Sequence, residues 1–372
     1  MIDYPRDESL GSGSRCPQTQ SSLPGVDPVT VPAATTNVDR ASIAGDPWTG
    51  SLPTLVDVYR ARSAIRAFLP PTPLLRSPAL SERLGFDLVV KCETLQPTGA
   101  FKVRGGLYLL SRLPEARRRR GVVAASTGNH GQSIAYAAGR FGVKATIFLP
   151  ERANALKVEA LRRLGAEIIH SGDDFDACFA EAERYAERTG AHFIHSANEP
   201  DLIAGVATHT LEIMEAEPDV DVVIVPVGGG SGLCGACIAG KGIKPGLTVI
   251  GAQAMGAPAV HDSWRARRLT SLDQADTFAE GLATRTAFSL PAAILWGTVD
   301  DIVLVSDPEM RRAILTLLET THMLAEGAGA AGLAAAYQRR ESFAGAKVAV
   351  IVTGGNLTMD SLQQAMNEEH AW

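Results

Sequence analysis

Two segments of the sequence place reactive residue types at short spacing. The first is Gln96-Pro97-Thr98-Gly99-Ala100-Phe101-Lys102-Val103-Arg104-Gly105-Gly106. A Pro-Thr-Gly turn here precedes a small residue, an aromatic ring and a lysine. A lysine held beside an apolar residue at a helix start loses hydration, its ammonium pKa falls, and the amine can form a Schiff base with an aldehyde. A lone lysine is ordinarily a surface solubiliser; the turn and the ring are what set Lys102 apart. The second segment is Gly228-Gly229-Gly230-Ser231-Gly232, between the apolar run Val222–Val227 and a helical stretch, Leu233–Ala239. Glycines let the backbone turn tightly with its N–H groups inward, and those groups with the helix dipole make an anion site. No Gly-Lys-Ser/Thr closes the loop as in a Walker motif, and it lacks the spacing of a dinucleotide fingerprint. A small, fixed phosphate fits it better than ATP or NAD. A tight turn without a ligand is the plain alternative.

Other reactive residues have simpler readings. Cys234 and Cys237 form a C-x-x-C pair with no second pair and no nearby histidine, so they read as small helix-packing residues. Arg117–Arg120 reads as a solvated helix end. His192 and His195, near a strand at Ala191–His195, lack a third ligand and read as packed or hydrogen-bonded side chains.

The elements that must position these residues alternate. Strands are expected at Leu88–Lys91, Gly121–Ala125, Ala145–Leu149, Glu167–His170, Val222–Val227, Thr248–Ala252, Asp301–Val305 and Lys347–Val352. Helices are expected at Gln132–Phe141, Ala153–Leu164, Asp174–Thr189, Pro200–Glu215, Asp307–Thr321 and Ala330–Arg339. Such alternation implies an α/β fold of parallel sheets covered by helices, with ligands at the C-terminal ends of the strands. Residues 1–50 are small or polar without periodicity and read as a mobile tail.

Composition narrows the function classes. The chain has 372 residues, 35 basic against 41 acidic, for a net charge of −6. This mild excess argues against nucleic acid as the main partner. No apolar run is long enough to span a membrane, and Met1-Ile2-Asp3-Tyr4 does not open a secretory signal. Five scattered cysteines, Cys16 among them, fit a reduced, cytoplasmic protein. The chain stops shortly after the last expected strand, and no appended regulatory domain is expected beyond it.

The two segments belong to a longer pattern. Pro97–Gly105, Ser126-Thr127-Gly128-Asn129-His130-Gly131, Gly228–Gly232 and Thr353-Gly354-Gly355-Asn356 occur in that order. Together they resemble the fold-type-II pyridoxal-phosphate enzymes, specifically the serine/threonine dehydratase and serine racemase group, over about residues 50–366. The resemblance implies two three-layer α/β/α domains of the tryptophan synthase β-like architecture, with the cofactor in the cleft between them. Residues 51–119 with 198–372 would form the large domain and 120–197 the small one.

It also implies roles. Lys102 would carry pyridoxal 5'-phosphate as an internal aldimine, with Phe101 packed against the ring. Gly228, Gly229, Gly230, Ser231 and Gly232 would cradle the phosphate, Asn129 would bond the 3-oxygen, and Thr353 would meet the pyridine nitrogen. Ser126, Thr127, Gly128, Asn129 and His130 would grip the substrate carboxylate, and Glu280 would lie near the cofactor. The implied reaction is β-elimination from L-threonine or L-serine to a 2-keto acid and ammonia, in a homo-oligomer. The neutral hydroxyl of Thr353 would hold no proton on the pyridine nitrogen, a milder electron sink that suits elimination.

Departures from the pattern leave other readings open. Val103 stands where synthases carry Asp. Ser231 interrupts the glycines, as in dehydratases linked to hydroxyectoine breakdown. Thr127 stands where serine racemase places a serine. Other β-hydroxy amino acids (threo-3-hydroxyaspartate, phenylserine), racemisation, β-replacement and non-catalytic cofactor binding are the alternatives. Gln253 and the neutral run Ala254–Val260 imply no divalent-cation site.

Overall fold

The computed structural model describes residues 48–126, 128–172 and 175–372. Residues 1–47 of the expected tail, Cys16 and Thr127 lie outside the described residues. In chain order the elements are α1 (Leu55–Ile65), β1 (Leu74–Arg76), α2 (Pro78–Leu84), β2 (Asp87–Cys92), α3 (Lys102–Arg112), α4 (Glu115–Arg118), β3 (Val122–Ala125), α5 (Asn129–Arg140), β4 (Ala145–Leu149), α6 (Ala155–Arg163), β5 (Glu167–His170), α7 (Phe175–Thr189) and β6 (His192–Phe193). They continue as α8 (Pro200–Val206), α9 (Thr208–Ala216), β7 (Val222–Pro226), α10 (Ser231–Ala236), β8 (Thr248–Ala254), α11 (Ala259–Ala266), α12 (Ser289–Thr298), β9 (Asp301–Val305), α13 (Asp307–Thr321), α14 (Gly327–Gln338), β10 (Lys347–Val352) and α15 (Met359–Glu368).

One sheet has six strands in the order β1-β2-β10-β7-β8-β9. Val350 of β10 lies between Val90 of β2 and Ile224 of β7, and Ile224 pairs onward with Ile250 of β8. These strands are β-branched runs buried on both faces, as parallel strands between helical layers must be. Alternate residues enter different cores. Val222, Ile224, Val348 and Val350 pack against Met310 and Ile314 of α13 and Leu333 of α14. Val223, Val225, Ala349 and Ile351 pack on the other face against Leu233 of α10 and Leu290 and Ile294 of α12. Each such side chain fully buried contributes roughly 1.5–3 kcal/mol.

The second sheet has four parallel strands, β5-β4-β3-β6. Val122, Ala124, Ile147 and Leu149 face a core with Ile134 of α5 and with Val103, Leu107 and Leu110 of α3. Val123, Ala125 and Phe148 face Cys178 and Ala182 of α7. The lysine-bearing helix α3 is thus seated by α5, the helix of the Ser126–Gly131 segment. The contact is close: a Cβ at Gly106 would lie 2.4 Å from Ser133 Oγ. A Cβ at Gly105 would lie 2.8 Å from the Leu202 carbonyl of α8, so the Gly105-Gly106 pair admits one helix on each side, and Ser133 Oγ donates to the Lys102 carbonyl at 2.6 Å.

Three expectations are corrected. The six-stranded sheet is mixed, because β1 runs antiparallel to β2. The stretch Pro200–Glu215 is two helices, broken at Ala207, where the Thr208 hydroxyl bonds back to the Gly205 carbonyl at 2.7 Å instead of leaving it to the helix ladder. The helix after the glycine loop widens into a π-turn over Cys237–Lys241.

Candidate active site

Hydrogen bonds gather the four motif segments. The antiparallel bridge Ala100–Gly354, with Phe101 N–H donating to Thr353 O at 2.9 Å, stitches the lysine segment to the end of β10. Asn356 Nδ2 donates to Thr98 O at 2.9 Å and to Asn129 Oδ1 at 2.6 Å, adding the start of α5. Lys102 Nζ donates to Ser231 Oγ at 2.8 Å, joining the glycine loop to the same point. Phe101 lies under that loop, where a Cβ at Gly232 would come within 3.2 Å of its ring.

The loop's backbone requires glycine at two positions for different reasons. Gly230 has φ +95°, a conformation that L side chains rarely adopt. Gly228 faces the Gly281 carbonyl so closely that a Cβ would lie 2.2 Å from the oxygen.

Burial sets the protonation states. It lowers the Lys102 amine to a pKa of about 8. Burial, with the Lys102 charge adding to it, pushes His130 down to about 3 and His195 to about 4, so both imidazoles are neutral near pH 7. His195 Nδ1 accepts from the backbone N–H of Ala197 and Asn198 at 2.9 and 3.0 Å, which fixes its tautomer with the proton on Nε2. His130 Nε2 lies 3.4 Å from Ile194 O, and its Nδ1 has no hydrogen-bond partner among the described residues. Cys234 and Cys237 are buried, and burial raises both thiols.

Beneath Lys102 is a network that the sequence reading missed. Arg104, fully buried, donates through Nε and Nη2 to Glu93 at 2.7 and 2.8 Å and through Nη1 to Glu212 at 2.6 Å. Lys91 completes the set at 2.5 Å from Glu212. Two cations and two carboxylates are balanced here. The Arg104 charge holds Glu93 down at about 2 against the cost of burial.

The expected site residues are distributed as follows. Lys102, Phe101, Asn129 and Ser231 are tied together by the contacts above. Thr353 is buried at the end of β10, and its hydroxyl makes no hydrogen bond among the described residues. Ser126 Oγ accepts from Gly128 N–H at 3.2 Å, shaping the turn that leads into α5 and His130. Glu280 differs: its side chain is 64% exposed and paired with Lys157 of α6. Glu326, the residue before α14, touches the site. Its Oε1 accepts from Asn129 Nδ2 at 2.6 Å, and burial raises its pKa. With Asn356 on the other side of the amide, the orientation of Asn129 is set at both ends.

An aldehyde cofactor that carries a phosphate fits these residues. A buried amine of lowered pKa stands beside a glycine loop whose Gly228 and Gly230 leave no room for a Cβ, and the buried His130 on α5 keeps an unpartnered Nδ1. The profile of the family described as pyridoxal-phosphate dependent enzyme matches residues 65–354. The L-threonine ammonia-lyase of Thermotoga maritima is 41% identical over 315 residues, covering 85% of this chain and 78% of the relative. The L-threo-3-hydroxyaspartate ammonia-lyase of Saccharomyces cerevisiae is 35% identical over 308 residues, covering 83% and 94%. The solved structure of maize serine racemase superimposes with a TM-score of 0.81 at 32% identity, covering 86% of this chain and 98% of that one. The chain belongs to the pyridoxal-phosphate-dependent enzymes.

Proposed function

We propose that this protein is an ammonia-lyase that removes water and then ammonia from L-threonine or L-serine, giving a 2-keto acid. The carrying observation is the Lys102 amine, withdrawn from water to a pKa of about 8 and hydrogen-bonded to the glycine loop at Ser231. The threonine ammonia-lyase relative supports the substrate class.

When bound, pyridoxal phosphate supplies an aldehyde for amine exchange and a ring that draws electron density from the substrate's α-carbon. The chain's own residues do the rest. The backbone of Gly228–Gly232 would hold the phosphate. Asn129, oriented by Glu326 and Asn356, would donate to the ring's 3-oxygen, and Phe101 would pack against the ring. The neutral Thr353 hydroxyl would serve the pyridine nitrogen without holding a proton there. Ser126, Gly128, Asn129 and His130 present the start of α5 to the substrate carboxylate. Lys102 takes the α-proton at Nζ.

In this reading residues 51–119 with 198–372 form the large domain and 120–197 the small one, which closes over substrate. Among the described residues no helix is long and apolar enough to cross a membrane. A cytoplasmic homo-oligomer is part of the same proposal.

The test is keto-acid release by purified protein from L-threonine, L-serine, threo-3-hydroxyaspartate and threo-phenylserine, with substrate chirality followed in parallel. Keto acid from L-threonine or L-serine in a yellow protein is the expected result. Inversion without keto acid would favour a racemase and overturn the lyase reading.

A further inference from the structure

Ser231 is the residue of Gly228–Gly232 that has a side chain, and its hydroxyl does not face solvent: the residue is 1% exposed. The hydroxyl accepts a hydrogen bond from Lys102 Nζ at 2.8 Å, and the same nitrogen lies 3.5 Å from the Ser196 carbonyl, in the segment after β6. A neutral amine has two N–H bonds and one lone pair. With one N–H on Ser231 and the other toward Ser196, the lone pair has a single tetrahedral direction left. We propose that Ser231 is a positioning residue for Lys102, its hydroxyl holding one N–H of the free amine so that the lone pair is aimed at the substrate's α-hydrogen. This deepens the lyase reading above and rests on it.

The chemistry balances without an outside reactant. The Lys102 lone pair forms a new N–H bond as the substrate's α C–H bond breaks. The C–H electron pair becomes part of the Cα=Cβ bond while the β-hydroxyl leaves with the C–O pair. Returning the proton to that hydroxyl gives water and restores the neutral amine. Ser231 and Ser196 accept from the nitrogen in both its charged and neutral states, so the amine need not turn between the two transfers. A loop of glycine alone would leave a four-carbon side chain to find that orientation by rotation.

The groups that face Lys102 support the assignment. Cys234 on α10, His130 on α5 and His195 after β6 act on it or are acted on by it electrostatically. Burial keeps the thiol protonated and both imidazoles neutral near pH 8, which leaves Lys102 as the group of this set that titrates there. An acceptor for N–H stabilises the ammonium more than the amine. Removing the hydroxyl therefore lowers the Lys102 pKa further.

The experiment compares wild-type holoenzyme with Ser231→Ala, Ser231→Gly and Ser231→Thr. In the first two, kcat for keto-acid release falls about tenfold or more while KM stays within about twofold. Ser231→Thr keeps the hydroxyl and retains most of kcat. A second readout needs no turnover: the rate at which cofactor-stripped full-length protein turns yellow with added pyridoxal phosphate, followed against pH. That rate requires neutral Lys102, and its midpoint moves to lower pH in Ser231→Ala and Ser231→Gly. Wild-type kcat and an unmoved midpoint in both variants would overturn the proposal. So would a raised KM at unchanged kcat, which would confine Ser231 to the phosphate cradle. Wild-type protein that never turns yellow would instead defeat the proposed function itself.

Discussion

Lys102 and Arg104 stand two residues apart on α3, both withdrawn from water, and their surroundings treat them oppositely. Arg104 meets two carboxylates in good geometry, and pairing raises its pKa despite burial. Lys102 meets a hydroxyl and a carbonyl but no carboxylate, and burial lowers its pKa to about 8. One turn of helix thus holds a charge kept for structure and an amine prepared to lose its charge. The difference lies in the partner rather than in the depth. A buried cation with an anion stays charged, whereas one with only dipoles is poised to lose its proton.

The sharpest way to break the comparison is to delete each cation in turn. Lys102→Ala is expected to lower kcat/KM at least about a thousandfold, since it removes the proposed base. Its unfolding free energy near pH 7 should lie no more than about 1 kcal/mol below that of wild type, because no buried anion loses a partner and the cost of burying an ammonium is removed. Arg104→Ala should do the reverse in stability, costing about 3–5 kcal/mol by leaving Glu93 and Glu212 buried with too little positive charge. Urea denaturation of both variants checks this. A Lys102→Ala protein as destabilised as Arg104→Ala would mean that Lys102 also serves the charge network.

The pH dependence of stability separates the same two groups. The folded pKa of Glu93 is depressed to about 2 from 4.5, so its contribution is present above pH 4.5 and lost as pH falls toward 2. The folded pKa of Lys102 is depressed to about 8 from 10.5, so its own contribution to stability rises with pH between those values, against the loss from the buried Cys234 and Cys237 thiols, whose raised pKa values favour the unfolded state above about pH 9. The stability of wild type relative to Lys102→Ala should therefore rise from pH 8 to 10.5, while both proteins keep the acid loss. Urea midpoints measured from pH 2 to 10.5 test it, and a difference that stays flat across the alkaline range would remove Lys102 as the titrating group.

The two regions were not equally legible in the sequence. The strands that carry the site, such as Val222–Pro226 and Lys347–Val352, announce themselves as apolar β-branched runs. The turn chemistry around Lys102 and Gly230 is local, so the reactive segments could be read from adjacent residues. The Arg104 network could not. Its members, at positions 91, 93, 104 and 212, are residue types that normally face water, and only the fold makes them neighbours. Glu326 escaped for the same reason: its contact with Asn129 spans 197 positions. The three-residue strand β1 is too short to show a period, and its direction is set by pairing with β2 rather than by its own residues.

Glu280 offers the smallest test and the one that best marks the boundary of the site. Its carboxylate pairs with Lys157 of α6, and with 64% of the side chain exposed, solvent screens most of the attraction. Exposed pairs of this kind contribute about 0–1 kcal/mol, so Glu280→Gln should shift unfolding by no more than that. The 3₁₀ turn that holds it, Glu280–Leu282, also places the Gly281 carbonyl against Gly228. That contact is made by backbone and survives the substitution. Cofactor dissociation, followed by loss of the yellow colour, is therefore expected to stay within about twofold of wild type, the scale of a few tenths of a kcal/mol. A tenfold faster loss would show that the Glu280 carboxylate acts through the glycine loop. The loop would then depend on a charge at its rim as well as on the buried amine and backbone at its centre.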